Sequence, residues 1–122
     1  MNLNHYQQQA LLTCMPTCHN VTYMLGNLTA EVGELAGKIA KMVRKGHAIV
    51  QDNHLTYPPT VTDQQVNDFL REIALEAGDV LWQLSGLCSA FNLSLDEVAQ
   101  LNLRKLADRQ QRGVIDGNGD HR

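Results

Sequence analysis

The chain is poor in the residues that would commit it to an unusual environment. Its 122 residues include three cysteines and three prolines, and only 5% are aromatic. An odd cysteine count suits reduced thiols rather than a disulfide framework. Cys14 and Cys18 sit with His19 in "CMPTCH". That set falls one ligand short of a tetrahedral metal site, and Pro16 breaks the local helix, so structural thiols are expected. No apolar run approaches the roughly 20 residues of a membrane span, and no basic segment precedes an apolar one at the N-terminus. A cytoplasmic protein that neither enters nor binds a membrane is expected. The formal net charge of -3 and a pI near 5.9 give no general attraction for nucleic acid. One Trp, three Tyr and two Phe are too few for a stacking surface, and Trp82 reads as packing.

What the sequence does contain is helix signals. The first segment runs from about Asn4 to Met15, stopped near Pro16, and the second from about Asn20 to Lys45, stopped by Gly46 with basic residues in its last turn. In "TDQQ", Thr62 and Gln65 fit a capping box that opens a third helix reaching about Phe91. "SLDE" repeats the signal, with Ser94 as N-cap and Glu97 at N3, for a fourth helix to about Arg112. No segment shows a period-2 strand pattern, so the expected class is all-α, a single domain over residues 1–122. "GHAIVQDNHLTYPPTV" is a connection longer than most bundle loops. Residues 113–122 form a Gly-rich tail that cannot be a stable helix.

The segment "REIALEAGDVLW" is apolar enough for a core yet carries Glu72, Glu76 and Asp79. Ionised carboxylates placed together repel one another and lose hydration, so their presence asks for a compensating cation. The second helix has an apolar stripe through Leu25, Leu28, Val32, Leu35, Ile39 and Met42. Glu31 lies about 80° and Glu34 about 140° from its centre. On the third helix, Glu76 and Asp79 lie about 70° and 130° from the stripe of Phe69, Ile73, Val80, Leu84, Leu87 and Phe91, with the same sign. Packed antiparallel through these stripes, the two helices would line one cleft with Glu31, Glu34, Glu76 and Asp79. Oxygen ligands in that number suit magnesium, with manganese as a substitute, and Glu72 would support Glu76 from one turn away. The alternative is a pair of solvated faces, with Glu34 paired to Lys38 at i,i+4.

"NLTAEVGELAGKIAK", followed by "EAGDVLWQLSGLCSAFNLSLDEVAQLNLRKLADRQQRG", resembles the MazG-type all-α nucleoside triphosphate pyrophosphohydrolases. The resemblance covers roughly residues 20–47 and 70–122, and its signature is E-x-x-E followed by E-x-x-D, here Glu31, Glu34, Glu76 and Asp79. It implies a four-helix-bundle-like fold completed by oligomerisation, as a homodimer or homotetramer. It also implies magnesium-dependent cleavage of a nucleoside triphosphate to monophosphate and pyrophosphate. Compared with compact members, the 41 residues between Glu34 and Glu76 are an insertion.

On the fourth helix Asn102, Lys105 and Arg109 share one face, and Asn102 falls within the stripe of Leu95, Ala99, Leu103 and Leu106, where a buried amide needs partners. Amide and cationic donors facing a metal cleft suit a triphosphate, so Asn102, Lys105 and Arg109 are assigned to phosphate contact, with Lys41 as a further candidate. Metal ions held by the four acids would polarise the phosphate oxygens and acidify an attacking water. Glu34 and Glu76 are the expected catalytic acids, with Glu34 favoured as proton acceptor. No residue is assigned to the base. Two other functions fit the same residues: a helical module that binds without turnover, and a pyrophosphohydrolase of a phosphoribosyl intermediate.

Overall fold

The computed structural model describes residues 1–122. Helices α1 (Leu3–Leu11), α2 (Val21–Arg44), α3 (Asp63–Ala90) and α4 (Leu95–Gln111) carry the fold, so the chain is all-α. A 3₁₀ turn, Pro16–Cys18, joins α1 to α2. The first helix stops four residues before the expected Met15, because "TCMP" runs into a proline whose preceding residue is pushed out of the helical region. All three cysteines are free thiols.

The expected stops and starts recur as hydrogen bonds. Gly46 has φ +70°, the left-handed position that ends α2 after Lys45. At the start of α3, the Thr62 amide donates to Gln65 Oε1 at 2.9 Å, and the Gln65 amide donates to Thr62 Oγ1 at 3.2 Å. Ser94 accepts from the Glu97 amide at 3.3 Å. The remaining free amides of α4 are served by α1: Leu95 donates to Gln7 Oε1 at 2.8 Å and Asp96 to Asn4 Oδ1 at 3.1 Å. These bonds fasten the first turn of α4 to α1.

No period-2 pattern announces a strand, and there the structure differs. Two three-residue strands, β1 (Ile49–Gln51) and β2 (His54–Thr56), pair antiparallel within the long connection. Asp52 and Asn53 turn between them with φ +48° and +66°, as a two-residue hairpin loop requires. Strands this short cannot display alternation, and an Asp-Asn pair is a weaker turn signal than Asn-Gly.

The closest packing joins α2 to α3, antiparallel. A Cβ added at Gly86 would lie 2.4 Å from Met24 Sδ, and Met24 is fully buried, so the helices meet at van der Waals limit there. Met24 meeting Gly86 and Lys38 meeting Glu72 fix a register in which Glu31 lies level with Asp79 and Glu34 with Glu76.

The helices do not meet squarely through their apolar stripes. Leu28, Leu35 and Met42 are half-buried, whereas Leu25, Val32 and Ile39 are exposed. The seam is rotated towards the acids, so Glu31 and Glu76 are half-buried within it. Leu84 of α3 is exposed for the same reason, and Phe91, the residue that caps α3, is exposed beyond its end. Helix α4 packs chiefly on α1 and leaves Leu101, Leu103 and Leu106 exposed. The total surface of 8816 Å² is well above the roughly 6,600 Å² expected of a compact 13.6 kDa monomer.

Candidate metal centre and its flanks

Rotation of the α2–α3 seam brings carboxylates together. One ligand oxygen from each of Glu31, Glu34 and Glu76 lies within 4.8 Å of the others, with Glu31 and Glu76 half-buried and Glu34 exposed. Oxygens around a magnesium ion stand about 2.1 Å from the metal and so about 3–4 Å from each other, a set this trio reaches by small side-chain adjustments. Asp79 lies outside the trio and is exposed, but its charge is felt there. Burial, then the neighbouring charges of Glu34 and Asp79, push the Glu31 carboxyl above the ordinary glutamate range, with Glu76 adding to the effect. Only Asn27, whose amide donates to Glu31 Oε1 at 3.0 Å, opposes this.

Such crowding is what a hard cation relieves, and carboxylate oxygens are the donors that a hard divalent ion takes. One neighbour differs from expectation. Lys38 does not pair with Glu34; its ammonium bridges Glu72 at 3.6 Å and Glu76 at 3.5 Å. The antiparallel register places those two acids opposite Lys38, across the seam, so the shared lysine prefers them to the i,i+4 neighbour on its own helix. Glu72 therefore supports Glu76 through Lys38.

The basic residues of α4 lie elsewhere. Lys105 Nζ stands 3.0 Å from Asp120 Oδ1, and Arg109 reaches the same oxygen and the Gly119 carbonyl, each at 3.1 Å. Arg109 is buried and its Nε has no partner. The Gly-rich tail is thus folded back on α4. Asn102, expected to be buried, is exposed, because the stripe that holds it has no partner helix within one chain. Lys41 belongs to neither group: it lines a cleft on the α2–α3 groove beyond Lys38. Trp82 packs against α1, its indole N–H donating to the Ala10 carbonyl at 3.1 Å and Thr13 Oγ1 at 2.9 Å.

The sequence profile of the MazG nucleotide pyrophosphohydrolase domain matches residues 19–114. The chain belongs to the MazG family. The match spans the hairpin connection and stops before most of the Gly-rich tail, so the segment that meets Lys105 and Arg109 lies beyond the family domain. Among curated proteins, the MazG chain is similar to the Gene 37 protein of Mycobacterium phage L5, 34% identical over 103 residues that cover 84% of this chain and 76% of the relative. No solved structure matches.

Membership in the MazG family supports nucleotide pyrophosphohydrolase chemistry, and the acid trio lies within the matched residues. Three neighbours of the acid trio carry no distinctive signal in the sequence. Asn27 holds Glu31, Lys38 ties Glu76 to Glu72, and Gln83 is buried level with Asn27 with its Oε1 unpartnered. A helical register between α2 and α3 would have found all three. No helix is long and apolar enough to cross a membrane.

Proposed function

We propose that this protein hydrolyses a nucleoside triphosphate at the α-phosphorus, giving nucleoside monophosphate and pyrophosphate, with magnesium as the working ion. The observation that carries the reading is the trio of Glu31, Glu34 and Glu76, whose ligand oxygens converge within 4.8 Å on the seam of two helices in a MazG domain. These residues, with Asp79 level with Glu31, would hold the ion. When bound it supplies a positive charge that withdraws electron density from the phosphate and makes water a better nucleophile.

The side chains do the rest. Glu34 is exposed and free of any ion pair, which suits it to accept a proton from the attacking water. Asn27 and Lys38 fix the carboxylates of Glu31 and Glu76, so neither has to reorganise as charge develops. Lys105, Arg109 and Asn102 of α4 are proposed to meet phosphate oxygens in the assembled protein; the buried guanidinium with an unpartnered Nε supports this.

A second copy of the chain is proposed to cover the exposed leucines. The surface excess of about 2,200 Å² over a compact monomer is of the size obligate interfaces bury. The experiment is a product assay with magnesium and a panel of nucleoside triphosphates, with a phosphoribosyl pyrophosphate compound as control. At least one nucleotide is expected to give monophosphate and pyrophosphate in equal amounts. Orthophosphate with diphosphate, or turnover of the phosphoribosyl compound alone, refutes the proposal.

A further inference from the structure

The α2–α3 groove does not end at the acids. Taking the register forward, Lys38, Lys41 and Lys45 follow Glu34 along the same side of α2, and His47 follows the Gly46 turn. On α3 the facing positions are Glu72, Phe69, Asp68 and Gln65. Together with Met42 these residues line a cleft of about 200 Å³. Buried Phe69 and half-buried Met42 form its floor, so the charged groups stand at its walls.

The charges are unevenly matched. Three lysines face two carboxylates: Glu72, engaged by Lys38 at 3.6 Å, and Asp68, which accepts from the Gln64 side-chain amide at 2.8 Å and keeps its charge. Lys41 and Lys45 have no carboxylate within ion-pair distance. One end of a single groove therefore gathers carboxylates, and the next carries a net positive charge with two ammonium groups outside any ion pair, Lys38 standing at the boundary. In the other direction the groove passes to Asn27 and buried Gln83, which are uncharged.

A molecule held at the acids through a cation, and carrying further negative charge, has one favourable direction to extend. We propose that the cleft of Lys38, Lys41, Lys45 and His47 seats the two distal phosphoryl groups of the substrate, and so the pyrophosphate that leaves. Its identity as pyrophosphate rests on the function proposed above; its anion specificity rests on the cleft alone. Seven residues of helix separate Glu34 from Lys41, about 10 Å, a span covered by two phosphoryl groups and the long stem of a lysine. The cations of α4 do not compete for this place in one chain, since Lys105 and Arg109 hold Asp120 and α4 packs on α1.

The test is calorimetric titration of magnesium and inorganic pyrophosphate into the whole protein and into the double variant Lys41→Gln/Lys45→Gln. Both lysines are exposed, so a matching thermal melt is expected for the two proteins. The wild type should bind pyrophosphate, and the variant should bind it about 10-fold or more weakly, the loss expected for two charge-assisted contacts. Lys41→Arg/Lys45→Arg should retain most of the affinity, and inhibition by nucleoside monophosphate should be unchanged in all three. Undiminished pyrophosphate binding in the glutamine variant, no binding by the wild type, or a loss confined to nucleoside monophosphate overturns the assignment. If pyrophosphate binding follows the lysines while no nucleotide is cleaved, the anion cleft stands and the proposed reaction fails.

Discussion

The pair α2–α3 and the arm formed by α4 with its tail are built from similar helices, yet the first share a long seam with a set register while α4 meets chiefly α1 and its own tail. Helices α2 and α3 are drawn to contact at Met24 and Gly86, and that contact sets the register of every carboxylate along the seam. Helix α4 has a well-capped start and then runs out with Leu101, Leu103 and Leu106 bare and its cations turned to the chain's own Asp120. The acid trio is thus a product of packing between α2 and α3, whereas α4 holds its own tail and leaves an apolar face uncovered.

The sharpest way to break this contrast is through Glu31. Glu31→Gln retains an oxygen for the Asn27 amide and removes one charge from the crowd, so turnover should fall by orders of magnitude while the metal-free fold holds or gains stability. The sign of the pH effect follows from the raised carboxyl. The unfolded chain ionises Glu31 more readily, so wild-type stability is fully present below the ordinary glutamate pKa and declines as pH rises through the raised value. The variant lacks that decline, and magnesium should raise the wild-type melting midpoint more than the variant's. Thermal melts across pH, with and without magnesium, decide it; a variant that melts lower and responds equally to magnesium makes Glu31 a structural acid.

Leu103→Asp probes the uncovered face of α4. The wild type is expected to sediment as a dimer or larger and the variant as a single 13.6 kDa chain. A wild type that sediments as one chain would mean the bare leucines serve another partner.

Next in size is Lys105→Ala, expected to lower kcat/KM about 10-fold, about 1.4 kcal/mol. Its melting midpoint should barely move, because the ion pair it loses with Asp120 is exposed. Unchanged kinetics would remove Lys105 from the reaction.

The smallest effect belongs to the tail. Lys105 first, and then Arg109, hold the Asp120 carboxyl below its ordinary range, so the docked tail gains from that charge above the ordinary aspartate pKa and loses it as pH falls through the lowered value. Asp120→Asn should flatten an acid-side titration of the Gly119 amide resonance; an identical titration in both proteins would assign the docking to Arg109 and the Gly119 carbonyl alone.

Helix starts and stops were legible because each depends on a few adjacent residues: Thr62 with Gln65, Ser94 alone, Gly46 in its left-handed turn. So was the convergence of Glu31, Glu34 and Glu76, since angular position about a helix axis is fixed by sequence spacing. What could not be read was the rotation of each helix about that axis. A stripe such as Leu25 to Met42 is wide enough to serve two neighbours, and nothing in one sequence says which part of it α3 covers. The exposure of Asn102 has that same origin, and the shift of Lys38 to Glu72 and Glu76 depends on inter-helix register. The hairpin was missed because a three-residue strand is shorter than the period that reveals strands.

The contact between Gly86 and Met24 acts as the fulcrum of a caliper whose jaws are the two acid-bearing stretches. Ten residues, about 15 Å of helix, separate Gly86 from Glu76, so separation added at the fulcrum is delivered to the gap between carboxylates. Met24 is fully buried, so a bulkier residue at Gly86 must displace the end of its side chain or part the helices. Oxygen ligands stand about 2.1 Å from magnesium and about 2.3–2.6 Å from calcium, a difference smaller than one methyl group. Under the proposed function, the cation that Glu31, Glu34 and Glu76 prefer would then depend in part on Gly86, a spacer that touches neither the ion nor the nucleotide.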